Sequence, residues 1–273
     1  MSMEILVGAD PEIFMFREGK YHSAHGAVKG DKKNPFKVDK GAVQVDGMAL
    51  EFNIDPAKNE QEFILNLKTV MQTLGEMVPG YELKAVPVAH FDKAVIDAQP
   101  EEALELGCEP DYNAWNNGAV NPRPNGKVNF RTGAGHVHIG WGKDFDISDP
   151  QHIEACIMVT KQLDYYLGLG SLLYDADGAE RRIMYGCPGA FRPKSYGVEY
   201  RVLSNAWLKD ENLMGWVYRM TIKGVQDLMQ NKKAYIQYED WAQQKLLDKK
   251  PDLGIIKYLL PKLGVELPPV KSA

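Results

Sequence analysis

Residues 131–140 read RTGAGHVHIG: two glycines, then two histidines one residue apart, inside a run from Val128 to Trp141 whose apolar content otherwise suits a β-strand. Alternate side chains of a strand share a face, so His136 and His138 project together, while Gly133-Ala134-Gly135 breaks the run into two segments. The same pattern recurs elsewhere. GADPEIF, residues 8–14, sets Asp10 and Glu12 two apart between the apolar runs Met3–Val7 and Ile13–Phe16; GVEYR, residues 197–201, does so for Glu199 and Arg201 within the strand-like stretch Tyr196–Leu203. VDGMALEFN, residues 45–53, places Asp46 and Glu51 in a strand candidate, Ala42–Ile54, with Asp46-Gly47 as a bend or bulge. For any one pair the ordinary reading is the solvated face of an amphipathic strand. Four such segments in one chain point to a shared polar face, which is costly to bury unless cations compensate it.

Between these segments the spacing is helical. Phe63, Leu67, Val70, Met71 and Leu74 recur with an α-helical period over Asn59–Met77, and two more helices are predicted at Asp149–Leu167 and Asn212–Gln230. Tyr81–Val88 reads as a strand, and Gly107–Lys127, rich in Gly, Pro, Asn and Asp, as a long loop. Strands separated by long helices, with no glycine-rich strand-to-helix phosphate loop, predict an α+β fold rather than a doubly wound nucleotide fold. One domain is expected over residues 1–266, followed by a flexible C-terminal tail at 267–273.

Composition removes several classes. With 44% hydrophobic and 25% charged residues the chain is ordinary globular material, and a net charge of −5 argues against wrapping nucleic acid. Cys108, Cys156 and Cys187 are odd in number and widely spaced, which suits a reducing compartment better than a disulfide framework or zinc ribbon. No apolar run approaches the roughly 20 residues of a membrane span. A cytoplasmic protein without direct nucleic-acid or membrane binding is expected. Carboxylate oxygens with histidine suit Mg²⁺ or Mn²⁺ better than zinc.

GADPEIF, VDGMALEFN, RTGAGHVHIG and GVEYR, joined by GCEPDYNAW, YGCPGAFR and EYRVLSNAW, resemble signature elements of the glutamine synthetase and γ-glutamylcysteine synthetase superfamily. Within it, the chain is most similar to the phage-encoded COOH-NH2 ligases of type 2. The resemblance covers roughly Gly8 to Trp207. It implies a glutamine-synthetase-like catalytic domain, with a curved, mainly antiparallel sheet forming a funnel and flanking helices. It also implies ATP and two or three divalent ions, Mg²⁺ or Mn²⁺. Asp10 and Glu12 fall on the family's E-x-E pair, where the shorter Asp10 would reach a metal through water. His136 is the implied metal or phosphate contact, His138 its neighbour at the cofactor. Glu199 and Glu51 are implied metal carboxylates, Asp46 a weaker one, and Arg201 a contact to the transferring phosphoryl group.

Attack of a carboxylate on a γ-phosphate brings anions together, so cations must meet the transferring group. Arg131, Arg182, Arg192 and Arg201 are candidates for this clamp, with Lys194 as a point charge. Of Arg181 and Arg182, one is expected to be a solvated surface residue. Tyr112, Trp115, Tyr196 and Trp207 are divided between a substrate entrance and core packing, and Cys108 has no base beside it in sequence. The implied reaction is ATP-dependent joining of a small-molecule or peptide carboxylate to an amine through an acyl-phosphate. A separate glutamine amidotransferase supplies ammonia in some relatives, and oligomers complete the site in glutamine synthetase. The alternatives are a guanidino-kinase-like phosphotransferase and an inactive binding module on the same fold.

Overall fold

GADPEIF is where the architecture turns in the computed structural model, which describes residues 4–104, 110–122 and 128–270. Strands β1 (Leu6–Ala9) and β2 (Glu12–Arg17) are two halves of one strand bent at Asp10–Pro11. Pro11 has no N–H to offer a ladder, and its carbonyl accepts from Phe52 N at 3.1 Å. Around β2 lie β3 (Lys20–His22), β4 (Phe36–Val38), β5 (Gly41–Asp46) and β6 (Ala49–Ile54), in the order β3-β2-β6-β5-β4, with β7 (Glu82–Lys84) also on β2. β8 (Val88–His90) pairs apart from that sheet, with β11. The later strands are β9 (Tyr112–Asn113), β10 (Ala119–Val120), β11 (Phe130–Thr132), β12 (Val137–Gly140), β13 (Ala190–Lys194) and β14 (Gly197–Tyr200). They extend from β1 in the order β1-β12-β14-β13-β9-β10. These strand pairs are antiparallel. The bent strand joins both halves into one curled surface: Asp10 N and Glu12 N donate to His136 O and Ala134 O, while Val7 and Ala57 exchange backbone bonds on the other edge.

Alternation then separates two faces. Val7, Ala9, Val43, Phe52, Val137, Ile139, Val198 and Tyr200 are buried on the face covered by the helices Glu60–Met77, Pro150–Leu163 and Glu211–Met229. Residues 8, 10 and 12 and their register partners His138, Glu199, Arg192 and Glu51 occupy the opposite face. The helices begin where a short polar side chain caps them: Asn59 Oδ1 accepts from Glu62 N at 2.9 Å, Asp149 Oδ1 from Gln151 N at 3.1 Å and Asp210 Oδ1 from Asn212 N at 2.8 Å. Over one end of the polar face lies the β8–β11 ribbon, held by a small second core of Phe14, Met48, Ala49, Ala89 and Phe91. Among the described residues no helix is long and apolar enough to cross a membrane.

Four local readings change. Ala42–Ile54 is a hairpin rather than one bent strand: Asp46 pairs with Ala49, and Gly47 takes φ +58° at the first position of a two-residue loop. Tyr81–Val88 divides between β7 and β8, because Pro87 cannot donate and its carbonyl instead accepts from Gly133 N at 2.9 Å. Within the 107–127 loop, the described part adds β9 to the sheet edge beside β13. The helix from Pro150 passes at Asp164–Gly168 into a π-turn, a wider coil that aims Asp164 at the sheet. Of the tail expected at 267–273, residues 271–273 lie outside the described residues, as does Cys108.

Candidate active site

Two rows of side chains cross the polar face. In the first, His138 stands opposite Glu199, which stands opposite Arg192. In the second, Glu12 stands opposite Glu51, which stands opposite Gln44 and accepts from its Nε2 at 2.7 Å. Asp10 lies between the rows at the bend, its Oδ1 3.0 Å from His138 Nε2 and 3.3 Å from His136 Nδ1. The face floors a cavity of about 310 Å³ roofed by Val128, Phe130, Arg131, Met184 and Tyr185. Glycines make the crowding feasible. A Cβ on Gly135 would sit 2.2 Å from Ser204 O and 2.5 Å from Trp207 Nε1, and one on Gly133 2.3 Å from Asn205 Nδ2, so the chain before His136 threads beneath the Ser204–Trp207 segment only without side chains there.

Glu199 is the electrostatic centre. It is completely buried, which by itself would raise its pKa, yet Arg201, His138, Lys194 and His136 together hold it well below the carboxylate range. Lys194 Nζ is 2.8 Å and Arg192 Nη1 3.4 Å from its Oε2, while Arg201 Nη1 contacts Oε1. Arg201 also reaches the Tyr185 hydroxyl, and its Nε lies 3.3 Å from Asp111 Oδ2. At the second row the balance reverses. Burial, with Asp46 adding repulsion, pushes Glu12 up to about 7 even though Ala134 N donates to it at 2.9 Å. Burial and the charges of Asp10, Asp46 and Glu12 put Glu51 well above its ordinary range. His136 is pulled down to about 4 by burial and by Arg201, whereas Asp10 outweighs burial at His138 and raises it.

The donor chemistry fits a divalent cation. One ligand atom each from Asp10, His138 and Glu199 lies within 4.8 Å of the others. Asp10 Oδ1 and His138 Nε2 are buried without hydrogen-bond partners, and the opposite ring nitrogen of His138 contacts the Tyr196 hydroxyl, which orients the imidazole. Glu12 and Glu51 add two carboxylates whose mutual repulsion a cation would relieve.

The sequence candidates Asp10, Glu12, Glu51, His136, Arg131, Arg192, Lys194 and Arg201 thus surround one cavity, with Glu199 and His138 against them. His138 rather than His136 completes the close donor set. Arg182 does not line the cavity: its Nη1 lies 3.4 Å from Asp175 Oδ2, an oxygen that also accepts from Ser204 Oγ at 2.9 Å. Neither arginine of the pair is on the surface, since Arg181 is 1% and Arg182 5% exposed. Arg181 is held inside by Val202 O, 2.7 Å from its Nη1, and by the Tyr185 ring. Nor do the four aromatic candidates line the cavity. Trp207 stacks on Phe63 in the core, Tyr112 packs on Phe191, Trp115 donates to Asp164, and Tyr196 serves His138. Tyr185, Asp111, Gln44 and Lys32 were missed. Recognising the Asp46-Gly47 hairpin would have placed Gln44 beside Glu51; Asp111 carries no local signal.

The fold and site define an α+β protein whose curled antiparallel sheet presents carboxylates, imidazoles and guanidinium groups on one enclosed face. Residues 117–243 match the family described as phage phiEco32-like COOH.NH2 ligase-type 2. Among curated proteins no sequence matches. Among solved structures the chain is similar to a bifunctional glutathione synthetase from Pasteurella multocida at 10% identity and a TM-score of 0.46, with 97% of this chain covered. The chain spans 45% of that protein's length.

Proposed function

We propose that this protein is an ATP- and divalent-metal-dependent carboxylate–amine ligase with a glutamine-synthetase-like funnel, forming an amide through an acyl-phosphate. The observation that carries the reading is the convergence of Asp10, Glu12, Glu51, His138 and Glu199 with Arg192, Lys194 and Arg201 on one enclosed sheet face. The family match over 117–243, which includes Glu199 and the three cations, supports it. Asp10, His138 and Glu199, and separately Glu12 with Glu51, would hold Mg²⁺ or Mn²⁺. A bound ion of this kind neutralises β- and γ-phosphate oxygens and so lets a carboxylate approach them. Arg201, gripped by Glu199, Asp111 and Tyr185, presents a planar fork that is already oriented when charge develops on the transferring group. Arg192 and Lys194 share Glu199 Oε2 and supply the remaining positive charge at that end of the cavity. The enclosing roof excludes water, which would otherwise hydrolyse the acyl-phosphate.

The test follows the oxygen. An acid labelled with ¹⁸O in its carboxylate delivers label to inorganic phosphate when ATP, Mg²⁺ and amine are present together, because the amine attacks carbon and expels the oxygen that phosphate has captured. Label in AMP would indicate adenylation, and phosphate transfer without amide formation would favour the phosphotransferase.

A further inference from the structure

Five cationic side chains line the cavity among the described residues, and four of them have carboxylate partners. Arg192, Lys194 and Arg201 meet Glu199, and Lys32 Nζ lies 2.8 Å from Asp46 Oδ1. Arg131 differs. It is 7% exposed, yet its only printed partners are two carbonyls: Nη1 donates to Phe130 O at 2.7 Å and Val128 O at 3.2 Å, and Nε is buried with no partner. Desolvation is the sole influence on its titration, with no acid offsetting it. A guanidinium taken out of water without a counter-ion is costly, and the cost is recovered when an anion enters beside it.

Its placement distinguishes it from the phosphate end. Arg131 sits on the roof ribbon in register with Ala89, above the hairpin loop at Met48 and Ala49, whereas the three paired cations rise from the floor around Glu199. Resting on the ligase reading of that floor, we propose that Arg131 anchors a second carboxylate of the acid substrate, one that is not activated, so that the substrate class is a dicarboxylic acid or an acid bearing a free carboxylate elsewhere. The neighbouring lysine, Lys32, is already balanced by Asp46, so the roof offers a net charge of one. A single carboxylate matches this better than a phosphate dianion.

Calorimetric titration with glutarate and with valerate, equal in length but differing by one carboxylate, tests the proposal, each with and without Mg²⁺-ADP. Wild type is expected to bind glutarate at least about tenfold more tightly than valerate. Arg131→Gln should lose that preference while binding Mg²⁺-ADP within about twofold of wild type, which also reports its folding; Arg131→Lys, keeping charge without the fork, should fall between them. Equal binding of the two acids by wild type, or a glutarate preference surviving in Arg131→Gln, overturns the anchor. So does weakened Mg²⁺-ADP binding with the acid preference intact, which would put Arg131 in the phosphate clamp. If wild type binds no Mg²⁺-ADP but keeps an Arg131-dependent preference for glutarate, the ligase reading fails and the anchor stands.

Discussion

Arg201 is fixed on every side: Glu199 and Tyr185 take its terminal nitrogens, Asp111 lies at Nε, and His136 Nδ1 is 3.4 Å from Nη1. Burial alone would lower its pKa, but Glu199, Tyr185 and Asp111 raise it well above the ordinary value, so it is a permanent charge with little freedom to turn. Lysine keeps the charge and loses the geometry, because an ammonium cannot bridge two acceptors in one plane. Arg201→Lys should therefore reduce turnover about 100-fold or more while changing nucleotide affinity far less. Steady-state kinetics beside an equilibrium nucleotide titration separate the two effects, and an unaltered turnover would remove Arg201 from the chemistry.

At the scale of elements, the site depends on how closely the β11–β12 connection runs beneath the segment after β14. Gly135 N donates to Leu203 O at 3.0 Å, Asn205 N to Gly133 O at 3.2 Å and Trp207 Nε1 to Gly135 O at 3.1 Å. These bonds hold His136 against Asp10 and Glu199. Gly135→Ala would drive a methyl into Ser204 O, a backbone atom that cannot swing aside. The expected cost is about 2 kcal/mol or more, read as a lower urea midpoint with an unchanged m-value. Wild-type stability would mean that the connection is not as tight as this.

The whole molecule carries an excess of buried negative charge at the Glu12–Glu51 row, and its stability should show it. Glu12 is raised from 4.5 to about 7, so between those pH values the folded protein holds a proton that the unfolded chain has released. Unfolding then releases protons, and stability falls as pH rises through that window. Glu51, raised well above 4.5, and Asp164, pushed up to about 7 by burial, act in the same direction. Asp10 and Glu199 are lowered instead, so their contribution is lost only at more acidic pH. In EDTA the melting temperature should thus fall from pH 5 to 8, and Glu12→Gln should melt roughly 2–6 °C above wild type at pH 8. Saturating Mg²⁺ should flatten the wild-type curve by stabilising the ionised row. Melting curves across pH, with and without Mg²⁺, check all three; a rising curve in EDTA would contradict the charge balance.

Alternation and period were enough to read, from the chain alone, the α+β class, the three long helices and the polar residues that share strand faces. Side chains two apart on a strand must point the same way, and apolar residues three and four apart must share a helix face. The pairing of distant strands is a different matter. That Glu12 stands opposite Glu51, and Glu199 between His138 and Arg192, depends on register, which local sequence does not encode. The same holds for Arg181 and Arg182. Adjacent arginines look like surface, and only carbonyls and a carboxylate brought from Val202 and Asp175 make their burial tolerable. Which residues the chain offers for chemistry was legible in the sequence; which of them meet at the cavity was decided by the bend at Asp10–Pro11, where one strand pairs with both halves of the sheet and turns their polar faces toward each other.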